Sequence, residues 1–160
     1  MNKKKYIKCG MQYAAGETYE PDVIGYATSK DGIKWNKYGN NPILERRKKN
    51  FYLDNYKVGA CDIHKLSNNH YLMFYIGYSD LHTARIFVAK SKNGIDNWKR
   101  SFNPIIKPEK NKFDSNACYK PSAIYNIIDN KWMLWYNGRN EGTELIGLAL
   151  HNESEIFKSA

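Results

Sequence analysis

The sequence predicts an all-β chain made of four-stranded antiparallel meanders that follow one another along the polypeptide. Three observations carry this. The stretch "IGYATSKDGIKW" from Ile24 returns as "IFVAKSKNGIDNW" from Ile86, an interval of 62 residues (86 minus 24), and a partial copy, "IGLALH", starts at Ile146. The phrase "NPIL" from Asn41 returns as "NPII" from Asn103 at the same interval. Aromatic residues make up 14% of the chain and helical periodicity is absent, which favours pleated structure over helix. Self-similarity at a fixed long period marks a repeat architecture. Four-stranded meanders repeated head to tail are the blades of a β-propeller, whereas a β-sandwich gives no reason for the period.

Naming the strands of one period A to D, the chain opens on a B strand, "YIKCGMQY", followed by the C strand at Ile24 and a D strand bearing Trp35. The second period begins with an A strand, "ACDIHKL" (60–66). It continues with B, "HYLMFYIGY" (70–78), C at Ile86 and D at Trp98. The third offers "YKPSAIYNI" (119–127) as A, "KWMLWYNGR" (131–139) as B and "IGLALH" as C. Asp31-Gly32 and Asn93-Gly94 are expected to be tight type I′ hairpin turns between C and D. The contents are thus B-C-D, A-B-C-D and A-B-C. The expected units are 1–52 without its first strand, 53–112, and 113–160 without its last, together two and a half to three blades. Raw strand edges on such a chain invite self-association or pairing with missing blades.

Composition narrows the function classes. A formal charge of +9 over 160 residues reads as a lysine-rich solvated surface. The runs "KKK" and "ERRKK" are short and no nucleic-acid motif accompanies them, so no nucleic-acid partner is expected. No apolar stretch approaches the length of a membrane helix, and "MNKKKYIKCGMQY" lacks the apolar region of a signal peptide. The expectation is a cytoplasmic chain without a membrane partner. Cys9, Cys61 and Cys118 form no Cys-x-x-Cys pair, and with His64 they match no standard zinc spacing; neither metal nor cofactor is expected.

The phrases "IGYATSKDGIKW…NPIL", "YLMFYIG", "FDSNACYKPSAIY" and "WMLWYNGR…ELIGLALH" resemble the five-bladed propellers of glycoside hydrolase families 32, 43, 68 and 130 and their uncharacterised bacterial relatives. The last two phrases resemble the C-terminal half of such a member. The resemblance implies a glycosidase working by carboxylate acid–base chemistry on a carbohydrate, with about two blades of a five-bladed ring lying before Met1.

Topology says where a site belongs. In a meander the D-to-A and B-to-C connections share one face, and the longer loops are there: residues 13–23, 78–85 and 137–144, and roughly 40–59 and 103–117. Glycoside hydrolysis uses two carboxylates flanking the bond. Asp62 and Glu144 are the catalytic candidates. By resemblance Asp62 stands where these hydrolases begin their inner strand with Asp, often within Arg-Asp-Pro; here Cys61 and Ile63 replace the Arg and the Pro. Either Lys120 or Tyr119 occupies the matching place in the next period, depending on the alignment. Lys120 suits a sugar carboxylate or phosphate, and Tyr119 suits stacking on a ring. His64, Asn137, Arg139, Arg85 and Asp22 complete the candidate substrate-binding set. The competing readings are a structural hydrogen bond for Asp62, a salt bridge for Lys120, and an ion pair of Glu144 with Arg139 or Arg85. Asp80 and His82 read as solvated loop residues. At the level of function the alternatives are a non-catalytic glycan-binding propeller and a truncated structural remnant.

Overall fold

The computed structural model describes residues 7–13, 22–66 and 68–152, with side chains from residue 22 onward. Ten strands and no helix lie among them. The first blade holds β1 (Ile7–Tyr13), β2 (Val23–Ser29) and β3 (Trp35–Lys37). The middle blade holds β4 (Lys57–Lys65), β5 (Tyr71–Tyr78), β6 (Ala84–Ser91) and β7 (Lys99–Arg100). The third holds β8 (Ala117–Asn126), β9 (Lys131–Asn140) and β10 (Thr143–His151). Each blade is a separate antiparallel sheet with its strands in sequence order. The order B-C-D, A-B-C-D, A-B-C read from the repeats is the order of the fold.

The C-to-D connections depart from the expected two-residue turn. Gly32 and Gly94 take positive φ (78° and 72°), but Asp31 and Asn93 do not. A type I′ turn needs both. Side chains organise a longer loop instead. The Asp31 carboxylate accepts the N–H groups of Ile33 (2.9 Å) and Lys34 (2.8 Å), and Ser29 Oγ accepts that of Gly32 (2.8 Å). Asn93 and Ser91 repeat this for Ile95, Asp96 and Gly94. An Asx side chain that satisfies two backbone donors lets the residue before each glycine keep a negative φ; in the second loop Asn97 is left-handed as well, at φ 53°. Each loop is closed by an indole N–H, from Trp35 to the Gly32 carbonyl and from Trp98 to that of Ile95.

The "NPIL" and "NPII" repeats have a structural cause. After the short D strand the chain turns back, and Leu44 and Ile106 form single bridges to Ile24 and Ile86 on the C strands. In the first blade the Asn41 amide also brackets Tyr26, accepting its N–H at 2.7 Å and donating to its carbonyl at 2.9 Å.

Period-two alternation then builds two cores. Met73 and Tyr75 of β5, with Phe87 and Ala89 of β6, pack against Ile24, Leu44 and Val58. Leu72 and Phe74, with Ile86 and Val88, point the other way onto Cys118, Ala123, Trp132, Leu134 and Tyr136. Both faces of the middle sheet are therefore buried, which its nearly continuous apolar β5 reflects. The central strand of the third sheet, β9, buries alternate residues only.

Candidate functional site

Both complete A strands begin with a β-bulge. The β4–β5 register slips between Gly59 and Cys61, and the β8–β9 register between Tyr119 and Ser122. One residue at each slip takes a left-handed conformation, Ala60 at φ 26° and Lys120 at φ 52°. A bulge adds a residue and re-aims the strand. Matching the bulges sets Ala60 against Lys120 and Asp62 against Ser122. Neither sequence alignment gives this: the two bulges fall at the same place and the A strands correspond at an interval of 60, whereas matching the Ala-Cys pairs or the Pro-like position gives 57 or 58.

The two bulges open onto one cavity of about 310 Å³ between the middle and third blades. Ala60, Tyr78, Leu81 and His82 line it from the middle blade, and Tyr119, Lys120, Arg139 and Glu144 from the third. These residues belong to A-strand starts, B-strand ends, a B-to-C connection and, with Glu144, the start of a C strand, the face that topology singles out. Arg139 Nη2 donates to the His82 carbonyl at 2.7 Å, tying the blades together across the cavity. Its guanidinium carbon lies 5.9 Å from the Tyr119 ring centroid, and Lys120 Nζ lies 5.4 Å from the same ring. Asn137 Nδ2 donates to Glu144 Oε2 at 3.4 Å. The Glu144 carboxyl is held below its ordinary value, chiefly by the neighbouring Tyr119 hydroxyl. Slight burial opposes this, while Asn137, Lys120 and Arg139 assist. Behind the wall the Lys57 ammonium, on a residue only 3% exposed, sits 4.5 Å from the Tyr78 ring centroid.

Four of the nine candidates therefore meet here: Tyr119, Lys120, Arg139 and Glu144, with Asn137 bonded to Glu144. The others are elsewhere. Asp62 does not line the cavity; its Oδ2 accepts the Ala123 N–H at 2.7 Å and faces His64 Nε2 at 3.1 Å. Ala123 is three residues along β8 from Lys120, about 10 Å of strand. Burial pushes the Asp62 carboxyl up, but the His64 bond and the Ala123 N–H outweigh it, and the net shift is downward. The His64 ring meets Phe74 and Trp132 edge-on. Asp62 and His64 thus form a polar junction between neighbouring A strands, which is the structural role weighed against catalysis.

Arg85 donates to Ser79 Oγ at 2.8 Å. Register explains its absence from the cavity. Ala84 pairs with Tyr78 as Glu144 pairs with Arg139, so Ala84 is the counterpart of Glu144 and Arg85 points to the other face. Asp22 lines a separate open cleft with Glu45, Arg46 and Lys48. Asp80 is more than a solvated residue. Its carboxylate accepts the His82 and Thr83 N–H groups (2.8 and 2.7 Å), and these, against a burial effect that pushes up, bring it down to about 2.

Two important residues escape the sequence reading. Asp54 is fully buried and accepts the Tyr75 hydroxyl at 2.9 Å and Arg100 Nη1 at 3.3 Å, and it pairs with Arg47. Asp114 is buried in the same place in the third blade and accepts the Tyr136 hydroxyl at 2.9 Å. Gly77 and Gly138 make room for them: a Cβ at either would come within 2.5 Å of the aspartate Cβ. Each clasp pins the D-to-A connection beside the residue that precedes Tyr78 or Arg139, and so fixes the cavity wall. The available signal was the pair Asp54 and Asp114, 60 apart, alongside Tyr-x-Gly at 75–77 and 136–138.

Among the described residues no group of three or more His, Cys, Asp or Glu gathers as a metal site. No helix among them is long and apolar enough to cross a membrane.

No protein-family model matches the chain, and no curated protein sequence does. Solved structures do match. Zg3597, a family 117 glycoside hydrolase of the marine bacterium Zobellia galactanivorans, superposes with a TM-score of 0.70 at 22% identity; the match covers 82% of this chain and 38% of that one. Another glycoside hydrolase gives 0.64 at 22% identity, covering 97% of this chain and 43% of its own. An N-acetylgalactosamine deacetylase from F. plautii, solved in complex with blood group B trisaccharide, gives 0.62 at 15% identity, with 81% and 41% covered. The chain shares its fold with glycoside hydrolases. Such identities show the fold alone, and family 117 is not among the families the sequence resembles. The chain spans about two-fifths of the length of these structures.

Proposed function

We propose that this chain is part of a carbohydrate-active, glycoside-hydrolase-like propeller that binds sugar in the cavity between its middle and third blades. The supporting observation is the convergence of Tyr119, Lys120, Arg139 and Glu144 at the β8 bulge. An aromatic ring and a few convergent polar groups in a concave site are what a sugar ring requires. The glycoside hydrolase neighbours favour the same substrate class.

Glu144, held ionised, suits the base or nucleophile of a glycosidase, or an acceptor for sugar hydroxyls. The general acid must keep its proton near neutral pH, which calls for a raised carboxyl. Neither Glu144 nor Asp62 is such a group, since both are shifted downward. The acid is supplied by further blades. The third blade has a face for one: Ile146 and Leu148 of β10 stand exposed where the middle blade's Ile86 and Val88 are buried by a neighbour. A glycan-binding propeller without catalysis is the second reading, favoured by the single carboxylate that lines the cavity among the described residues.

The test combines glycan binding and an aryl-glycoside screen on the 160-residue chain, with light scattering beside them. Expected are sugar binding weakened by Glu144→Gln and Tyr119→Ala, very low turnover, and association through the open face. A non-associating monomer with robust turnover that Glu144→Gln leaves intact would overturn this assignment.

A further inference from the structure

We infer that the sugar held in this cavity is an acidic one, whose anionic substituent lies between Lys120 and Arg139. This rests on reading the cavity as a sugar site. A neutral sugar is gripped by amides, carboxylates and ring faces, and needs no cation. Here two cations stand within 6 Å of one ring, with Lys120 Nζ at 5.4 Å and the Arg139 guanidinium at 5.9 Å from the Tyr119 centroid. One Arg139 amino group is committed to the His82 carbonyl, which fixes the planar fork against the wall. Charge-assisted bonds from such a fork and a neighbouring ammonium are the strong ones for a carboxylate or sulfate.

The surrounding charge agrees. Lys57 adds a third, buried cation behind Tyr78. Among the described residues Glu144 is the one carboxylate on the cavity lining. Asp80 adds no counterweight, because Arg85 stands beside it outside the lining. Lys120 and Arg139 already favour the ionised form of Glu144, so their field acts on a carboxylate in this space. The lysine is also specific to the third blade. Both bulges hold a left-handed residue, but the middle blade fills the position with Ala60. Geometry therefore asks for the bulge, and something else asks for the lysine.

Carboxylate and sulfate ester share the recognising chemistry, and the experiment separates them. Calorimetric titration of the 160-residue chain would use matched neutral hexoses, hexuronates and hexose 6-sulfates of the gluco, galacto and manno series, with inorganic sulfate alone as a further arm. Expected is an acidic member bound at least about tenfold tighter than its neutral partner, weakening as sodium chloride rises from about 50 to about 500 mM. The tighter class, uronate or sulfate, identifies the substituent. Lys120→Met and Arg139→Gln should each weaken the acidic sugar about tenfold more than its neutral partner, with circular dichroism unchanged. Equal binding of acidic and neutral members overturns the acidic assignment and leaves the sugar site standing. Binding of inorganic sulfate with no sugar, or no binding at all, overturns both.

Discussion

The middle and third blades are written in nearly the same pattern, yet the middle one is covered on both faces and the third on one. Ile86 and Val88 of β6 are 0% and 1% exposed, while their counterparts on β10, Ile146 and Leu148, are 74% and 48% exposed. Strand propensity alone does not require Ile or Leu at those positions, since the solvent face of an antiparallel sheet is ordinarily polar. What the positions share is a place in a stack. The front of the first blade packs Ile24 onto Met73, Tyr75 and Phe87, and the front of the middle blade packs Ile86 onto Trp132, Leu134 and Tyr136. The third blade presents the same front with nothing among the described residues against it. Apolar alternation in this chain therefore reports packing of blade on blade, and its exposed copy on β10 supports the proposal that a further blade docks there.

The largest expected effect tests this contrast inside one strand. Trp132 faces the middle blade and Trp135 the open side of β9. Trp132→Ala should lower unfolding free energy by about 3–5 kcal/mol, and Trp135→Ala by less than about 1 kcal/mol, read by urea denaturation. Equal losses would mean that the open face is covered in solution, and sedimentation at several concentrations would then show an assembly.

Next come the aspartate clasps. Asp54 is met by Tyr75, Arg100 and Arg47, so Asp54→Ala strands two partly buried cations and should cost about 3 kcal/mol. Tyr75→Phe removes one bond and should cost about 1–2 kcal/mol. Tyr136→Phe, on the Asp114 clasp, should cost a similar amount. A clasp that matters only locally would leave ligand binding untouched. Because Gly138 precedes Arg139, Tyr136→Phe should instead weaken cavity ligands as well as the fold.

The Asp62 junction is a smaller contribution. Asp62→Asn keeps an acceptor for the Ala123 N–H but loses the charge facing His64, on the order of 1 kcal/mol in a half-exposed pair. The folded-state carboxyl lies below its ordinary 3.8. The junction thus contributes fully above that value and is lost as pH falls through the lowered one. In the wild type, stability should fall more steeply below pH 3.8 than in Asp62→Asn. Parallel profiles for the two proteins would remove Asp62 from the blade interface.

How much of this was legible follows from what a repeat can encode. The 62-residue interval ordered the strands, because each copy repeats an apolar alternation that only a sheet uses. The face that opens onto the cavity was legible too, since connection topology fixes it. Register was not. Letter matches between the A strands, at intervals of 58 and 57, set Asp62 against Lys120 or Tyr119, while the paired registers correspond at 60 and set it against Ser122. Arg85 stands one residue past Ala84, the counterpart of Glu144, and a one-residue slip on a strand exchanges the two faces. Asp54 and Asp114 were passed over because they sit in connections, where an aspartate reads as solvated until its tyrosine partner is brought over it.

The smallest expected effect concerns Cys118. Matching the bulges sets Cys118 of β8 against Val58 of β4, and both are completely buried. Burial, with Asp114 beside it, pushes the Cys118 thiol up to about 12. Thiolate is the reactive form, so this group should be inert at neutral pH and act as a small hydrophobe. Two results should follow. Iodoacetamide at about pH 8, where an ordinary thiol is partly ionised, should leave Cys118 unmodified in the folded chain and label it once denaturant is added. Cys118→Val should change stability by less than about 1 kcal/mol, the usual range for a swap of similar volume. A reactive Cys118, or a valine variant that loses several kcal/mol, would show that its contact with Asp114 at 3.7 Å does more than fill space. The third blade would then differ from the middle one in chemistry at the root of β8 as well as in the face it leaves open.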